Sequence, residues 1–141
     1  AQIRLEQLCD EYKVKFETPN PMVYIDSLSG KDFEEWCAQF LRKNGFKNVV
    51  VTPGSGDHGV DIVAEKEEVL YAIQCKRYTS DVGNTPIQEV YAGKEMYNCQ
   101  VAVVMTNQHF TDGAKALATK TRVLLWDREK IMSMMQIENQ I

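Results

Sequence analysis

The sequence predicts an α/β fold with a mixed five-stranded sheet flanked by helices on both faces. Three observations carry that expectation. The elements read in the order helix, three strands, helix, strand, helix, strand, helix. The first three strands sit close enough in sequence to pair as antiparallel neighbours, whereas the later ones are separated by helical segments, and such crossovers produce parallel pairing. Finally, residues 101–105 are continuously apolar and bounded by polar residues, the pattern of a central strand buried on both faces.

Each element has its own signal. Residues 1–15 carry Ile3, Leu5, Leu8 and Tyr12 among charges and predict a short amphipathic helix, ended by Thr18-Pro19-Asn20-Pro21. Residues 1–25 are expected to be an appendage of helix and linker, with the main domain at 26–141. Ser29 and Asp32 have capping-box spacing, and Leu28 and Phe33 sit where a hydrophobic staple would be. Phe33, Trp36, Cys37, Phe40 and Leu41 then form the stripe of a buried helix face, which Asn44-Gly45 ends.

Strands are expected at 48–52, 59–65 and 69–77. Thr85-Pro86 opens a helix with Gln88 completing a second capping box and Ile87, Val90, Tyr91 and Tyr97 facing inward. A helix over 110–119 capped at Thr111, a short strand at 123–126 and a last helix capped by Asp127 complete the order. Met132, Met134 and Met135 read as core or chain-end residues.

Composition sets outer limits. A chain of 141 residues, 44% hydrophobic and 26% charged, fits one soluble domain with a single core. The net charge of −4 weighs mildly against a nucleic-acid partner, although only the local field matters at a site. The four cysteines form no C-x-x-C pair, which argues against structural zinc. Cys37 on a helix face and Cys75 inside a strand read as reduced thiols of a cytoplasmic protein. No apolar stretch is long enough to span a bilayer, so no membrane contact by this segment is expected. The chain begins at Ala1 without methionine, and the sequence does not tell whether it is a fragment of a longer protein.

The chemistry concentrates in two strands, Gly59-Val60-Asp61-Ile62-Val63-Ala64 and Leu70-Tyr71-Ala72-Ile73-Gln74-Cys75-Lys76. A four-residue loop at 66–69 pairs Glu65 with Leu70, Val63 with Ala72 and Asp61 with Gln74. Alternation then places Asp61, Gln74 and Lys76 on one face. A carboxylate, an amide oxygen and an ammonium on an apolar surface are costly unless paired or bound to a cation. Mg²⁺ takes oxygen ligands and keeps several waters. Asp61 and Gln74 would supply two of them and the Cys75 carbonyl a third, with Lys76 facing a bound phosphate.

Glu34 lies at the border of the buried helix stripe and Glu35 points to solvent, so Glu34 is the helix residue expected to reach the metal, directly or through water. Arg77, Gln88, Lys94 and His58 are further candidates for phosphate contact, as are Lys31 and Lys43. Asp57 is a candidate for a supporting role, while His109 reads as structural.

The motifs Leu28-Ser29-Gly30-Lys31-Asp32-Phe33-Glu34, Gly54-Ser55-Gly56-Asp57-His58-Gly59-Val60-Asp61 and Gln74-Cys75-Lys76-Arg77-Tyr78 resemble those of a known family. Val103-Val104-Met105-Thr106, followed by Phe110-Thr111 and Ala114, extends the likeness over about residues 28–131. Together they are similar to the Mrr-like restriction endonuclease domain, a branch of the PD-(D/E)XK nuclease superfamily. The resemblance implies a restriction-endonuclease-like fold and Mg²⁺-dependent hydrolysis of DNA phosphodiesters, with Mn²⁺ as a substitute, in prokaryotic restriction or defence.

It also implies that Asp61, Gln74, Lys76 and Glu34 are the catalytic set. Val60 stands where the superfamily name has proline, and Gln74 where it has an acid; glutamine is usual in this branch, and it leaves the site one negative charge poorer. Cutting both strands would need a homodimer or a fused or separate partner. The rival reading is a catalytically weak module of the same fold that binds DNA or assembles a larger defence protein. A nuclease of RNA or branched DNA is a third.

Overall fold

The computed structural model describes residues 21–53 and 59–139. The helix expected at 1–15 and the candidates Asp57 and His58 lie outside them.

The sheet grows from a hairpin. Strands β2 (Ile62–Lys66) and β3 (Val69–Lys76) run antiparallel, with Glu65 opposite Leu70 and Val63 opposite Ala72 as expected. The ladder continues one pair further, to Lys66 and Val69, so the turn holds two residues and not four. Glu67 and Glu68 both adopt left-handed backbone, with φ of 52° and 67°. That geometry matches the twist of the flanking strands, but it is one that Asn and Gly adopt more readily.

Strand β1 (Lys47–Val51) pairs antiparallel with β2, while β4 (Val101–Thr106) and β5 (Leu124–Trp126) add in parallel beyond β3. The spatial order is β1-β2-β3-β4-β5, the mixed five-stranded sheet the sequence predicts.

Among the described residues five helices cover the sheet: α1 (Met22–Asp26), α2 (Gly30–Lys43), α3 (Thr85–Met96), α4 (Asp112–Thr121) and α5 (Arg128–Asn139). Two buried clusters divide them by face. Phe33, Cys37 and Leu41 of α2 and Ile131 of α5 pack on Ile62, Ile73, Cys75 and Met105. Ile87 and Val90 of α3 and Ala114 and Ala118 of α4 pack on Ala72, Ala102 and Val104 of the other face. Full burial of side chains such as Phe33, Leu41 and Ile62 contributes roughly 1.5–3 kcal/mol each. Met22 and Ile25, both ahead of residue 26, are buried in the first cluster. Met132, Met134 and Met135 pack against it.

The helix boundaries follow local chemistry. Ser29 accepts a hydrogen bond from the Asp32 amide at 3.1 Å, and Gly45 takes φ of 88° just past the end of α2. Thr111 caps α4 through the Ala114 amide, and Asp127 caps α5 through the Lys130 amide. Two expectations fail at α3. Thr85 is already helical, so Asn84 takes the cap position without a side-chain bond and no capping box forms. Tyr91 points outward, because Val90 and Gly93 fill the inner stripe.

Candidate active site

The site lies just ahead of β2, at Asp61. The Asp61 amide donates to the Ile73 carbonyl at 2.8 Å, while Ile62 is also opposite Ile73. Two residues of one strand thus face one of the other, which is a β-bulge. The bulge breaks the expected pairing of Asp61 with Gln74 and turns the Asp61 side chain into the plane of the sheet. Its Oδ2 accepts a hydrogen bond from the Cys75 amide at 2.7 Å. A side-chain carboxylate therefore stands where a backbone carbonyl of β2 would continue the ladder.

From the other side, β1 holds the same segment. The Thr52 amide donates to the Asp61 carbonyl at 2.9 Å, and the Thr52 hydroxyl donates to the Val60 carbonyl at 2.7 Å. Gly59, with φ of 76°, lies so close to α3 that a Cβ there would stand 2.7 Å from the Cβ of Glu89. Only glycine fits this approach.

Gln74 is 2% exposed, and its Oε1 has no hydrogen-bond partner among the described residues. Such an atom is costly to bury. Gln74 stands beside Val104 in the parallel pairing of β3 and β4, so it shares the face covered by α3 and α4. Lys76 alternates to that face and is half-buried. The Cys75 carbonyl points along the sheet in the same direction as its amide, toward the gap that Asp61 occupies.

Glu34 is half-buried and Glu35 exposed, as the helical geometry predicts. Glu34 comes from α2, on the opposite face from Gln74. The Cys75 thiol lies under the influence of two of the candidate carboxylates. Burial pushes it well above its ordinary range, the neighbouring Cys37 thiol adds to the rise, and the Asp61 and Glu34 carboxylates push it further. Asp61 and Glu34 thus both act on Cys75, Glu34 from the α2 face, whereas Gln74 and Lys76 stand on the face of α3 and α4, so the candidates do not share one face as the sequence suggested. The donor set of carboxylates, an orphaned amide oxygen and a backbone carbonyl suits a hard divalent cation.

The other candidates scatter. Gln88 is exposed on the first turn of α3. Lys94 lies in the last turn of that helix, paired with Glu95 at 2.9 Å. That turn leads to Gln100, which bonds Leu70 near the start of β3, at the opposite end of the strand from Lys76. Arg77 turns inward, with Nη1 3.5 Å from the Asp26 carbonyl and Nε buried without a partner among the described residues. Lys31 and Lys43 are exposed, and His109 pairs with Glu129 at 2.5 Å.

Sequence reasoning passed over a polar cluster at the same end of the sheet, made of Asp26, Asn107 and Arg128. Arg128 donates to Asp26 Oδ1 at 2.8 Å and Asn107 Nδ2 donates to it at 3.0 Å. A signal existed in Asn107, a polar residue at the carboxyl end of a buried parallel strand, where ligand sites of open α/β sheets gather.

A family model described as a restriction endonuclease matches residues 25–135. Among solved structures, the modification-dependent restriction endonuclease AspBHI aligns at TM-score 0.61 and 15% identity, covering 77% of this chain and 31% of that one. A protein of unknown function, AF1548, aligns at TM-score 0.56 and 22% identity, over 71% of this chain and 63% of that one. EndoMS, solved in a complex with double-stranded DNA, aligns at TM-score 0.55 and 17% identity, over 72% of this chain and 45% of that one. The chain spans less than two thirds of each of these three. No curated protein matches it. Among the described residues, no helix is long and apolar enough to cross a membrane.

Proposed function

Because the chain belongs to the restriction endonuclease family, we propose that it is a metal-dependent endonuclease hydrolysing DNA phosphodiester bonds in a prokaryotic restriction or defence system. The carrying observation is the orphaned, buried Oε1 of Gln74 one residue from the amide that the Asp61 carboxylate grips. Asp61, Gln74 and the Cys75 carbonyl would hold the ion, with Glu34 assisting directly or through water. A bound Mg²⁺, or Mn²⁺ in its place, supplies a water of lowered pKa and positive charge beside the phosphate.

The chain's own residues do the rest. The bulge at Asp61 and the hydrogen bond to Cys75 fix the carboxylate before any ligand arrives, so little reorganisation remains. Lys76 places a positive charge at the scissile phosphate and orients or deprotonates the attacking water. Gln88, exposed on the first turn of α3, would be a further phosphate contact. Cleavage of both strands takes a second copy of the chain or a partner nuclease, and sequence or modification preference belongs to a separate recognition domain. The reduced thiols Cys37, Cys75 and Cys99 fit a cytoplasmic setting.

Plasmid nicking in Mg²⁺ and in Mn²⁺ tests the reading. Native protein should nick, chelator should abolish it, and Asp61→Ala and Lys76→Ala should each lower the rate by about two orders of magnitude or more. DNA binding without cleavage in either metal would mark a binding module. Equal nicking by native protein and Lys76→Ala would place the activity elsewhere.

A further inference from the structure

β3 and β4 end their parallel pairing at Lys76 and Thr106. Beyond that pair the ladder is continued by a side chain. Asn107 Oδ1 accepts from the Tyr78 amide at 2.8 Å, and Asn107 Nδ2 donates to the Tyr78 carbonyl at 3.0 Å. One amide side chain satisfies both backbone groups of one residue, as a neighbouring strand would. Gln108 adds a second donor to the Tyr78 carbonyl at 3.1 Å.

The orientation of Asn107 is itself fixed. The second hydrogen of Nδ2 goes to Asp26 Oδ1, which also receives Arg128 Nη1. That guanidinium nitrogen bonds the Asn107 carbonyl at 2.9 Å as well. A flipped amide would set its oxygen against the Asp26 carboxylate and its NH₂ against the Tyr78 amide. Asn107 is 1% exposed, so water cannot substitute for these partners. Four residues further on, the Val82 amide and carbonyl are held by His109 and Thr111 at 2.8 and 3.0 Å.

We propose that Asn107, oriented by Asp26 and Arg128, is a positioning residue that sets the direction of Lys76 from the β4 side, as Asp61 fixes Cys75 from the β2 side. Lys76 lies two residues before the clamped Tyr78 and one after the Asp61-bound Cys75, so the strand end is tied on both flanks. The inference rests on the nuclease reading, in which the placement of Lys76 governs the rate. Asn107 touches no substrate; it acts through the backbone.

The test is a double-mutant cycle on single-turnover cleavage, with DNA affinity in Ca²⁺ and hydrogen exchange of the Tyr78 amide as parallel readouts. Asn107→Ala should slow cleavage about 10- to 100-fold and speed Tyr78 exchange at least tenfold, while DNA affinity stays within about twofold. In a Lys76→Ala background the same change should cost less than about threefold, because a residue acting through Lys76 has nothing left to position.

Full multiplication of the two losses, or cleavage by Asn107→Ala within threefold of native, overturns the proposal. If Asn107→Ala fails to fold, Asp26→Asn carries the test: slower cleavage with faster Tyr78 exchange supports the proposal, and unchanged cleavage overturns it. A native protein that does not cleave, or does not depend on Lys76, overturns the nuclease reading and this inference with it. Dependence on Lys76 with an inert Asn107 overturns this inference alone.

Discussion

The Asp61 carboxylate stands 2.7 Å from the backbone nitrogen of Cys75, filling the place of a strand carbonyl at the point where two strands part. The contact gives Asp61 a structural role beside the chemical one proposed for it, and substitutions separate the two. Asp61→Asn keeps an oxygen for the Cys75 amide and should leave the melting temperature within a few degrees of native while abolishing cleavage. Asp61→Ala should lose cleavage as well and also about 1–2 kcal/mol of stability, since the Cys75 amide is left unpaired. Thermal melts set beside nicking rates check this; equal melting of the two variants would show that the bond contributes nothing.

Gln74 offers the complementary case. Its orphaned oxygen is a burden on the metal-free protein. Gln74→Met removes it at similar volume and should leave the metal-free fold no less stable than native, while calorimetric Mn²⁺ binding disappears. Gln74→Glu should bind the ion more tightly and melt lower without it, because an ionised carboxylate is buried unpaired. A Gln74→Met variant that binds Mn²⁺ as native does would remove this side chain from the ligand set.

Gly59 fixes the approach to the bulge. Gly59→Ala meets the Cβ, carbonyl carbon and carbonyl oxygen of Glu89 at 2.7, 3.0 and 3.2 Å, at a φ that alanine resists. A loss of about 1–3 kcal/mol and slower cleavage are expected. Glu89→Ala should not rescue it, because the Cβ and backbone remain in place. Rescue would mean that the obstruction lies in the outer Glu89 side chain.

Asp26 makes stability depend on acid. Burial raises its carboxyl, but the hydrogen bonds from Arg128 and Asn107 outweigh that and hold it below the ordinary 3.8. A depressed folded-state value means that the unfolded chain takes up the proton first. The contribution is therefore complete well above 3.8 and is lost as pH falls through that value toward the folded one. Asp26→Asn should lower stability at neutral pH and flatten the acid limb of the stability profile. An unchanged acid limb would assign that limb to other carboxylates.

Much of the architecture was legible because it is written in local rules. Ser29, Thr111 and Asp127 cap the helices that the sequence assigns to them, and the hydrophobic stripe from Phe33 to Leu41 faces the sheet. The hairpin register followed from alternation between Glu65 and Leu70 and between Val63 and Ala72. Alternation fails at Asp61, because a bulge adds one residue to one strand without marking the sequence. The Asn107 clamp was hidden for a different reason. Asp26 and Arg128 lie 81 and 21 positions from it, and no periodicity records partners brought together only by packing.

The turn at Glu67 and Glu68 has a consequence for engineering. Two acidic residues hold a left-handed bend at the end of the hairpin away from Asp61 and Lys76. An Asn-Gly pair would relax that bend by about 1 kcal/mol. The chain thus keeps a source of added robustness at the pole opposite its candidate site, where gains in endurance need not disturb the proposed chemistry.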